Sequence, residues 1–462
     1  MTRKFFILFA ATVLMTAFAS GCEKSSQDTP SDDEQNETPS NLAALKLSVP
    51  DMASAIFDGK PSLTVSVMNP NEIQVAAKAK IRIISDMNAA VTTLEKDVEV
   101  PAGKTKNITF TTEENLAPGF YKGLFTVNDK PAPSVVFGVS PFEIESAPDK
   151  QDDFDSFWAE AKAQLPDLTE NEPVLTEITS KSSSKRKVYL VEMLSVPDGP
   201  DGEPVVVRGY YLEPQDGKKH PVIMHYFGYD DLNGATKVSC PSGGSSDYAE
   251  FYLSTRGQMV NNRKADKREP DGKGDFTNIY GDWFAYGFGD KDTYYYRGAF
   301  MDCVQAVRFM ATRPTSDMNN LFAEGSSQGG AFSYAAAALS DHPFTAIAPC
   351  VAFLGDFPDY FDIVSWPGNV AKNNQGSMSD EQMYAFLSYF DTKNLATRLS
   401  STAVIACSGL LDGTCPPHTN IAPYNNLPHN DKEYHFYPKM KHEIPSDWAG
   451  KYMKFFKDRM TE

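Results

Sequence analysis

The sequence predicts an α/β protein, with helices covering both faces of a mostly parallel sheet and an immunoglobulin-like β-sandwich preceding it. Three observations indicate this fold class. Apolar and polar side chains alternate with a period of two in the region 41–142. After residue 148, short apolar runs alternate with helical patterns. Near residue 327, a strand signal, a glycine-rich turn and an Ala-rich helical segment follow one another.

The N-terminal segment, residues 1–22, resembles the signal peptide of a bacterial lipoprotein. Two basic residues at positions 3 and 4 precede an apolar run, 5–18, which is too short to span a bilayer comfortably. Three small residues then lead to Cys22, as in the lipobox, where the cysteine is lipidated. We therefore expect an exported protein that is lipid-anchored to a bacterial membrane, on the periplasmic side or at the cell surface. The alternative is an ordinary secretory signal.

The net charge and the cysteine content argue against some classes of partner and cofactor. The formal net charge of −18 argues against nucleic-acid binding, which needs a basic face. Residues 23–40 are acidic and lack core-forming side chains, so they predict a disordered tether. Five cysteines remain besides Cys22, and none has a C-x-x-C spacing, so no metal site is supported. One disulfide bond is possible in an exported protein, but the sequence does not identify the two cysteines that would form it.

The region 41–142 predicts the sandwich. Odd positions are apolar in Val75-Ala77-Ala79-Ile81-Ile83, and turn signals such as Asn69-Pro70-Asn71 recur between the strand patterns. All four tryptophans lie outside this region. A carbohydrate-binding module usually presents an aromatic platform, so we favour a spacer or packing role over sugar binding.

The region 148–462 predicts the second domain. Its helical patterns and strand patterns alternate along the chain. In order, they are a helix at 151–165, strands at 187–193, 204–212 and 221–226, a helix at 299–312, and strands at 403–408 and 433–437.

The stretch Gly325-Ser326-Ser327-Gln328-Gly329 fits G-x-S-x-G. It lies between a strand signal and a helix, which is the context of a nucleophile elbow. Small residues at 325 and 329 let strand and helix pack closely, and the helix N-terminus offers N–H groups to an oxyanion. We therefore predict that Ser327 is a nucleophile, although a Ser/Gly-rich turn can give the same pattern.

A serine hydroxyl needs a base and an orienting acid, which follow it in the order acid, then histidine, in this context. Asp412 comes directly after the strand 403–408, and His442 follows the last strand and its turn. We predict the triad Ser327, Asp412 and His442. The main rival base, His418, falls on the same loop as Asp412, which leaves it poor reach to the elbow.

With these residues in place, the region 148–462 resembles the carbohydrate esterase family of acetyl xylan esterases and cephalosporin C deacetylases, which has the α/β-hydrolase fold. Three signatures appear in the family's order. They are Arg256-Gly257-Gln258, then the G-x-S-Q-G of Gly325 to Gly329, and His442-Glu443.

The resemblance implies roles for individual residues. The backbone N–H groups of Gln328 and Tyr229 would form the oxyanion hole, although Phe227 stands where the family usually has histidine. Arg256 and Gln258 would brace the loops behind the site. No metal or cofactor is implied. The resemblance leaves the oligomeric state open, with a homo-oligomer as one possibility, because this chain adds a predicted sandwich and a predicted lipid anchor to what the family usually carries.

The resemblance implies a serine esterase that removes acetyl groups from acetylated xylo-oligosaccharides or related sugars. Two other interpretations remain. One is another serine hydrolase on the same scaffold, such as a longer-acyl or aryl esterase or an oligopeptidase. The other is a surface glycan-binding lipoprotein with an inactive hydrolase fold.

Overall fold

A computed structural model describes the chain from residue 42 to residue 461, with gaps. The described ranges are 42–52, 54–200, 202–229, 237–244, 247–260 and 280–461. Leu45–Glu462 form one compact unit. Within these described ranges, no helix has the length and apolar character needed to cross a membrane. The predicted signal peptide, Cys22 and the predicted tether at 23–40 lie outside the described residues.

The N-terminal region forms two packed sheets. One has the strand order β1-β3-β6, and the other has the order β2-β9-β7-β4-β5, with β8 paired to β7. The inward side chains of both sheets share a core in which Val65, Ile81 and Phe137 are fully buried. The strands are β1 Lys46–Ser48, β2 Ile56–Phe57, β3 Ser62–Met68, β4 Val75–Ser85, β5 Ala90–Val100, β6 Thr105–Thr111, β7 Gly119–Val127, β8 Lys130–Pro131 and β9 Val135–Val139.

The second region contains a large mixed sheet, in the order β10-β11-β12-β15-β13-β17-β18-β19-β20. The strands from β10 to β15 pair in antiparallel fashion, and those from β15 to β20 pair in parallel. A short parallel pair, β14-β16, forms a separate two-stranded sheet. The strands are β10 Val174–Glu177, β11 Arg186–Ser195, β12 Val205–Pro214, β13 His220–Tyr226, β14 Lys237–Val238, β15 Ala249–Ser254, β16 Met259–Val260, β17 Ser316–Ser326, β18 Ala346–Cys350, β19 Ala403–Gly409 and β20 Lys432–Tyr437.

Helices fill the connections between these strands. A single 3₁₀ turn at Pro141–Glu143 joins the sandwich to the second region. The α-helices are α1 Phe154–Ala163, α2 Tyr295–Ala311, α3 Gln328–Leu339, α4 Phe357–Ile363, α5 Gly368–Asn374, α6 Asp380–Leu387, α7 Thr392–Ala396, α8 Pro417–Asn425 and α9 Trp448–Lys457. The predicted α/β fold with an N-terminal sandwich is confirmed.

Two local differences from the sequence prediction have packing reasons. Helix α2 begins at Tyr295, four residues before the predicted start at 299. Its first turn is aromatic, and Tyr295 and Tyr296 are 2% and 0% exposed, so burial extends the helix. The strand signal before Ser327 covers only residues 321–323 in the sequence, whereas strand β17 runs through Ser316–Ser326, because it lies between β13 and β18 in the sheet.

The sheet order brings three loops to one edge. Strands β17, β18, β19 and β20 are parallel neighbours, so their carboxyl ends lie side by side. The turn after β17 carries Ser327, the loop after β19 carries Asp412, and the loop after β20 carries His442. Loops at the carboxyl ends of parallel strands are where α/β proteins place their sites.

Candidate active site

Ser327 occupies the sharp turn between β17 and α3. Its φ of 57° and ψ of −123° are unusual for a residue with a side chain. The backbone is held on both sides, because the Ser327 N–H donates to the Cys350 carbonyl at 2.9 Å and the Phe353 N–H donates to the Ser327 carbonyl at 3.0 Å. The turn therefore fixes where the Ser327 hydroxyl points.

The two glycines of the motif allow this turn through close backbone approach. A Cβ at Gly325 would lie 2.3 Å from the Gly329 carbonyl oxygen. A Cβ at Gly329 would lie 2.4 Å from the Tyr226 carbonyl oxygen. Both atoms are backbone and cannot rotate away, so any side chain at 325 or 329 would push α3 off the sheet.

The three side chains predicted as a triad form one hydrogen-bonded chain. His442 Nε2 lies 2.9 Å from Ser327 Oγ, and His442 Nδ1 lies 2.8 Å from Asp412 Oδ2. The Asp412 side chain is fully buried, whereas 26% of the His442 side chain is exposed. If Nδ1–H donates to the carboxylate, Nε2 is left to accept the serine proton, which is the arrangement of a general base.

Backbone groups hold the carboxylate in place. Asp412 Oδ1 accepts hydrogen bonds from the N–H groups of Thr414 and Cys415, both at 2.8 Å. The loop that carries Asp412 also approaches the histidine loop closely, because a Cβ at Gly409 would lie 2.3 Å from the Met440 carbonyl oxygen. The acid and the base are therefore supported by one packed pair of loops.

The electrostatics of His442 favour its charged form. Burial of the ring opposes the charge, but the hydrogen bond to Asp412 and the negative charge of its carboxylate outweigh burial and raise the pKa of His442 above its ordinary value. Burial also raises the pKa of the Cys415 thiol, which keeps it neutral. The site thus stabilises the imidazolium that forms when a serine proton is taken.

The residues expected to form an oxyanion hole lie beside Ser327. Gln328 is the first residue of α3, and the first N–H groups of a helix have no partner within it. A Cβ built on Gly228 would lie 3.7 Å from Ser327 Cβ, which places the segment before Tyr229 next to the nucleophile. The Tyr229 hydroxyl donates to Asp282 Oδ1 at 2.7 Å and accepts from the Phe284 N–H at 3.3 Å, so its side chain is anchored to the segment before α2.

Gln258 of the Arg-Gly-Gln signature supports this segment. Its Nε2 donates to the carbonyl oxygens of Phe227 and Gly228 at 3.2 and 3.1 Å, and its Oε1 accepts from the Thr255 N–H. Gln258 is 5% exposed. It therefore ties the segment that carries the expected oxyanion donor to the loop after β15.

Arg256 braces the same loop from behind. The Arg256 side chain is 1% exposed. Its guanidinium contacts Asp302 on α2 at 2.7 Å and Asp198 at 2.6 Å. Gly257 follows with a φ of 79°, where a Cβ would lie 2.7 Å from Trp283 Nε1. The signature thus positions loops and does not contact Ser327.

Two remaining residues of the sequence analysis lie at the edges of the site. His418, the rival base, pairs with Asp86 and Asp359, and neither partner belongs to the Ser327 cluster. Glu443 is exposed, and its Oε1 accepts from the Lys441 N–H at 3.4 Å.

The residues that sequence reasoning missed are buried polar partners. Cys415 lies beside His442 and Asp412, and Asp302 neutralises Arg256. Neither has a sequence signal, because the partners that give them their roles, His442 and Arg256, lie far away along the chain. Three residues of suitable type for a metal, Asp356, Asp359 and His418, also lie together. Lys393 Nζ contacts Asp356 Oδ1 at 2.9 Å and already supplies a cation there.

Comparison with known proteins agrees with this geometry. A family model described as acetyl xylan esterase (AXE1) matches residues 143–459. The acetyl esterase Axe7A of Xylanibacter ruminicola is 25% identical over 308 residues, which cover 67% of each chain. An acetyl xylan esterase from Paenibacillus sp. R4 is 26% identical with a TM-score of 0.55, over 69% of this chain and 98% of that one. Acetyl xylan esterase 1 from Thermoanaerobacterium sp. JW/SL YS485 has the same coverage and TM-score at 23% identity, a likeness of fold.

Proposed function

Because this chain belongs to the acetyl xylan esterase family, whose members are carboxylic ester hydrolases, we propose that Ser327, His442 and Asp412 remove acetyl groups from acetylated xylo-oligosaccharides or related sugars. The single observation that carries the proposal is the continuous hydrogen-bonded chain from Ser327 Oγ through the His442 ring to Asp412. Its geometry matches the nucleophile, base and orienting acid that acyl transfer needs.

The mechanism follows from the positions of these atoms. His442 Nε2, 2.9 Å from Ser327 Oγ, takes the hydroxyl proton while the oxygen attacks the acetyl carbonyl. The buried Asp412 carboxylate stabilises the imidazolium, and the N–H groups of Gln328 and Tyr229 receive the oxyanion. His442 then protonates the leaving sugar hydroxyl. A water molecule, deprotonated by the same ring, attacks the acetyl-Ser327 ester and releases acetate.

Acetate release from acetylated xylo-oligosaccharides tests the proposal. We expect turnover by the wild type and a loss of about 10⁴- to 10⁶-fold in kcat for Ser327→Ala, since the nucleophile and its base act as a unit. Ser326→Ala is the matched control, because Ser326 is the neighbouring hydroxyl in the same motif, and we expect nearly full activity.

Three outcomes would change this proposal. Equal activity of Ser327→Ala and the wild type would overturn the nucleophile. Wild-type cleavage of longer-acyl or aryl esters or of peptides, without acetate release from the oligosaccharides, would favour another serine hydrolase. Tight sugar binding without turnover would favour an inactive glycan-binding protein. Cephalosporin C, an acetyl ester of a different alcohol, would report whether the sugar itself is required.

We also propose that the protein is an exported lipoprotein anchored through Cys22. Three sequence features support this proposal: the basic residues at positions 3 and 4, the short apolar run at 5–18 and the small residues directly before Cys22. A fatty-acid probe supplied to expressing cells should label the wild type and not Cys22→Ala. Equal labelling of both proteins would exclude this anchor, and an unlabelled wild type that is still exported would indicate an ordinary secretory signal.

A further inference from the structure

The β-sandwich contacts the two elements that flank the acid and base loops. Helix α8 begins at Pro417, directly after the loop that carries Asp412. Strand β20 ends at Tyr437, just before the loop that carries His442. Phe120 of β7, which is 1% exposed, has its ring 5.9 Å from that of Phe436 on β20. The sandwich therefore packs behind both loops.

An ion cluster around a buried histidine joins the sandwich to helix α8. His418, in the first turn of α8, is 7% exposed. Its Nδ1 lies 2.9 Å from Asp86 Oδ2, in the turn between β4 and β5, and its Nε2 lies 3.1 Å from Asp359 Oδ2 on α4. The Phe120 ring packs against the imidazole, with centroids 6.4 Å apart. One ring thus links two regions whose residues are more than three hundred positions apart in sequence.

The charges around His418 keep its ring doubly protonated. Burial opposes the charge, but the ion pair with Asp359 and the hydrogen bond to Asp86 outweigh it and raise the pKa of His418 to about 10. The other charged groups beside the cluster are Asp356, which interacts with Asp359, and Lys393, which pairs with Asp356 at 2.9 Å. The protonated ring therefore pairs with both carboxylates at neutral pH, and its Nδ1–H donates to Asp86.

Helix α8 is in turn tied to the candidate acid. Asn420 Nδ2 donates to the carbonyl oxygens of Cys415 and Pro416 at 3.0 and 3.2 Å. The Cys415 N–H donates to Asp412 Oδ1 at 2.8 Å. A continuous set of contacts therefore runs from Asp86 of the sandwich, through His418 and the first turn of α8, to the Asp412 carboxylate.

We propose that the β-sandwich positions the acid and base of the active site, and that His418 is the positioning residue through which Asp86 acts on the Asp412 loop. This inference rests on the proposed function, because it assigns Asp412 and His442 their catalytic roles. The sandwich then serves the reaction by fixing the orientation of these two groups.

The test variants are Asp86→Asn and His418→Gln, with 4-nitrophenyl acetate as substrate. For each, we would measure kcat, KM and the thermal unfolding temperature, together with the acid limb of the pH profile, the range in which kcat/KM falls as the pH is lowered. Asp97→Asn is the control, because Asp97 is an exposed carboxylate of the same sandwich. We expect each test variant to lose about 2- to 30-fold in kcat while KM stays constant, as for couplings carried through packed contacts. The acid limb should shift to lower pH, because a looser Asp412 stabilises the His442 imidazolium less. The control should match the wild type.

The pH profile separates positioning from simple stabilisation. A merely structural link would lower the unfolding temperature but leave kcat and the acid limb of the folded enzyme unchanged, and that result overturns the inference. Asp86→Glu, which restores a carboxylate, should recover part of the lost kcat. The double variant should lose no more than the stronger single variant, whereas fully additive losses would show that the two residues act separately. An inactive wild type would instead overturn the proposed function itself.

Discussion

At the residue scale, the site depends on the backbone conformation of Ser327 and on the orientation of the Asp412 carboxylate, and hydrogen bonds with neighbouring backbone groups hold both. Ser327 keeps a positive φ of 57° only because Cys350 and Phe353 hold its backbone from both sides. Asp412 stays accessible to His442 on one oxygen because two backbone N–H groups occupy the other. Such pre-positioning removes the reorganisation that a flexible acid and nucleophile would need at each turnover.

We predict that the pH dependence of the enzyme follows His442. The ring must be neutral to accept the serine proton, and Asp412 raises its pKa, so kcat/KM should fall as the pH drops through a value above the usual imidazole pKa of about 6.5. Asp412→Asn removes the charge that stabilises the imidazolium. We expect kcat to fall by about 10³- to 10⁴-fold and the residual acid limb to move to lower pH.

A pH series of kcat/KM for both proteins checks this. Asp97→Asn is the control, because Asp97 is an exposed carboxylate of the sandwich, and its acid limb should coincide with that of the wild type. An acid limb that stays in place in Asp412→Asn would mean that another group titrates in the rate profile.

At the element scale, the contacts of helix α3 and its N-terminal turn with strands β13 and β18 determine the position of Ser327. Helix α3 starts directly after Ser327, and Gly329 in its first turn lies against the end of β13. The sequence motif predicted this strand-turn-helix unit, because glycine spacing is a local property of the chain. The neighbouring strand β18, Ala346–Cys350, went unrecognised, although its Cys350 carbonyl anchors Ser327. A five-residue buried strand has too few positions to show a period.

Gly329→Ala tests the close approach of helix and strand. The added Cβ would lie 2.4 Å from a backbone carbonyl oxygen, so α3 must shift. We expect a loss of about 1–3 kcal/mol in the free energy of unfolding and a lower kcat in the folded protein, because the shift moves Ser327 and the Gln328 N–H. Gly450→Ala is the matched control on helix α9, where the added Cβ meets no atom within 4 Å. It should leave activity unchanged and add about 0.4–1 kcal/mol of stability.

Urea unfolding and acetate release measure the two effects. A Gly329→Ala protein with wild-type stability and activity would show that the helix packs with more freedom than the structure indicates.

At the scale of the whole molecule, the sandwich and the hydrolase region form one compact unit. The sequence placed a boundary near residue 148 and favoured a spacer or packing role for the sandwich. The contacts of Asp86 and Phe120 with α8 and β20 favour packing over spacing, since a spacer needs no ion pair with a buried histidine of the second region. Folding of the two regions should then be coupled.

Phe120→Ala tests this coupling. Phe120 is 1% exposed and belongs to the core of the hydrolase region although it lies on a sandwich strand. We expect a loss of about 3–5 kcal/mol in the free energy of unfolding, as for buried Phe→Ala changes. Calorimetry should show a single transition that moves to lower temperature as a whole. Val91→Ala, at an exposed sandwich position, should leave it in place. Two separate transitions, with only one affected, would contradict the coupling.

The sequence by itself determined the fold class, the strand-turn-helix around Ser327, and the order in which acid and base follow it. The first two properties depend on residue types at short spacings, and the third depends on the order of short motifs along the chain, which the sequence displays directly. Only the tertiary structure decided that His442 and not His418 lies against Ser327 Oγ, that Gln258 holds the segment before Tyr229, and that the sandwich contacts helix α8. Each of these depends on partners far apart along the chain, and such pairs are brought together only when the whole core is buried.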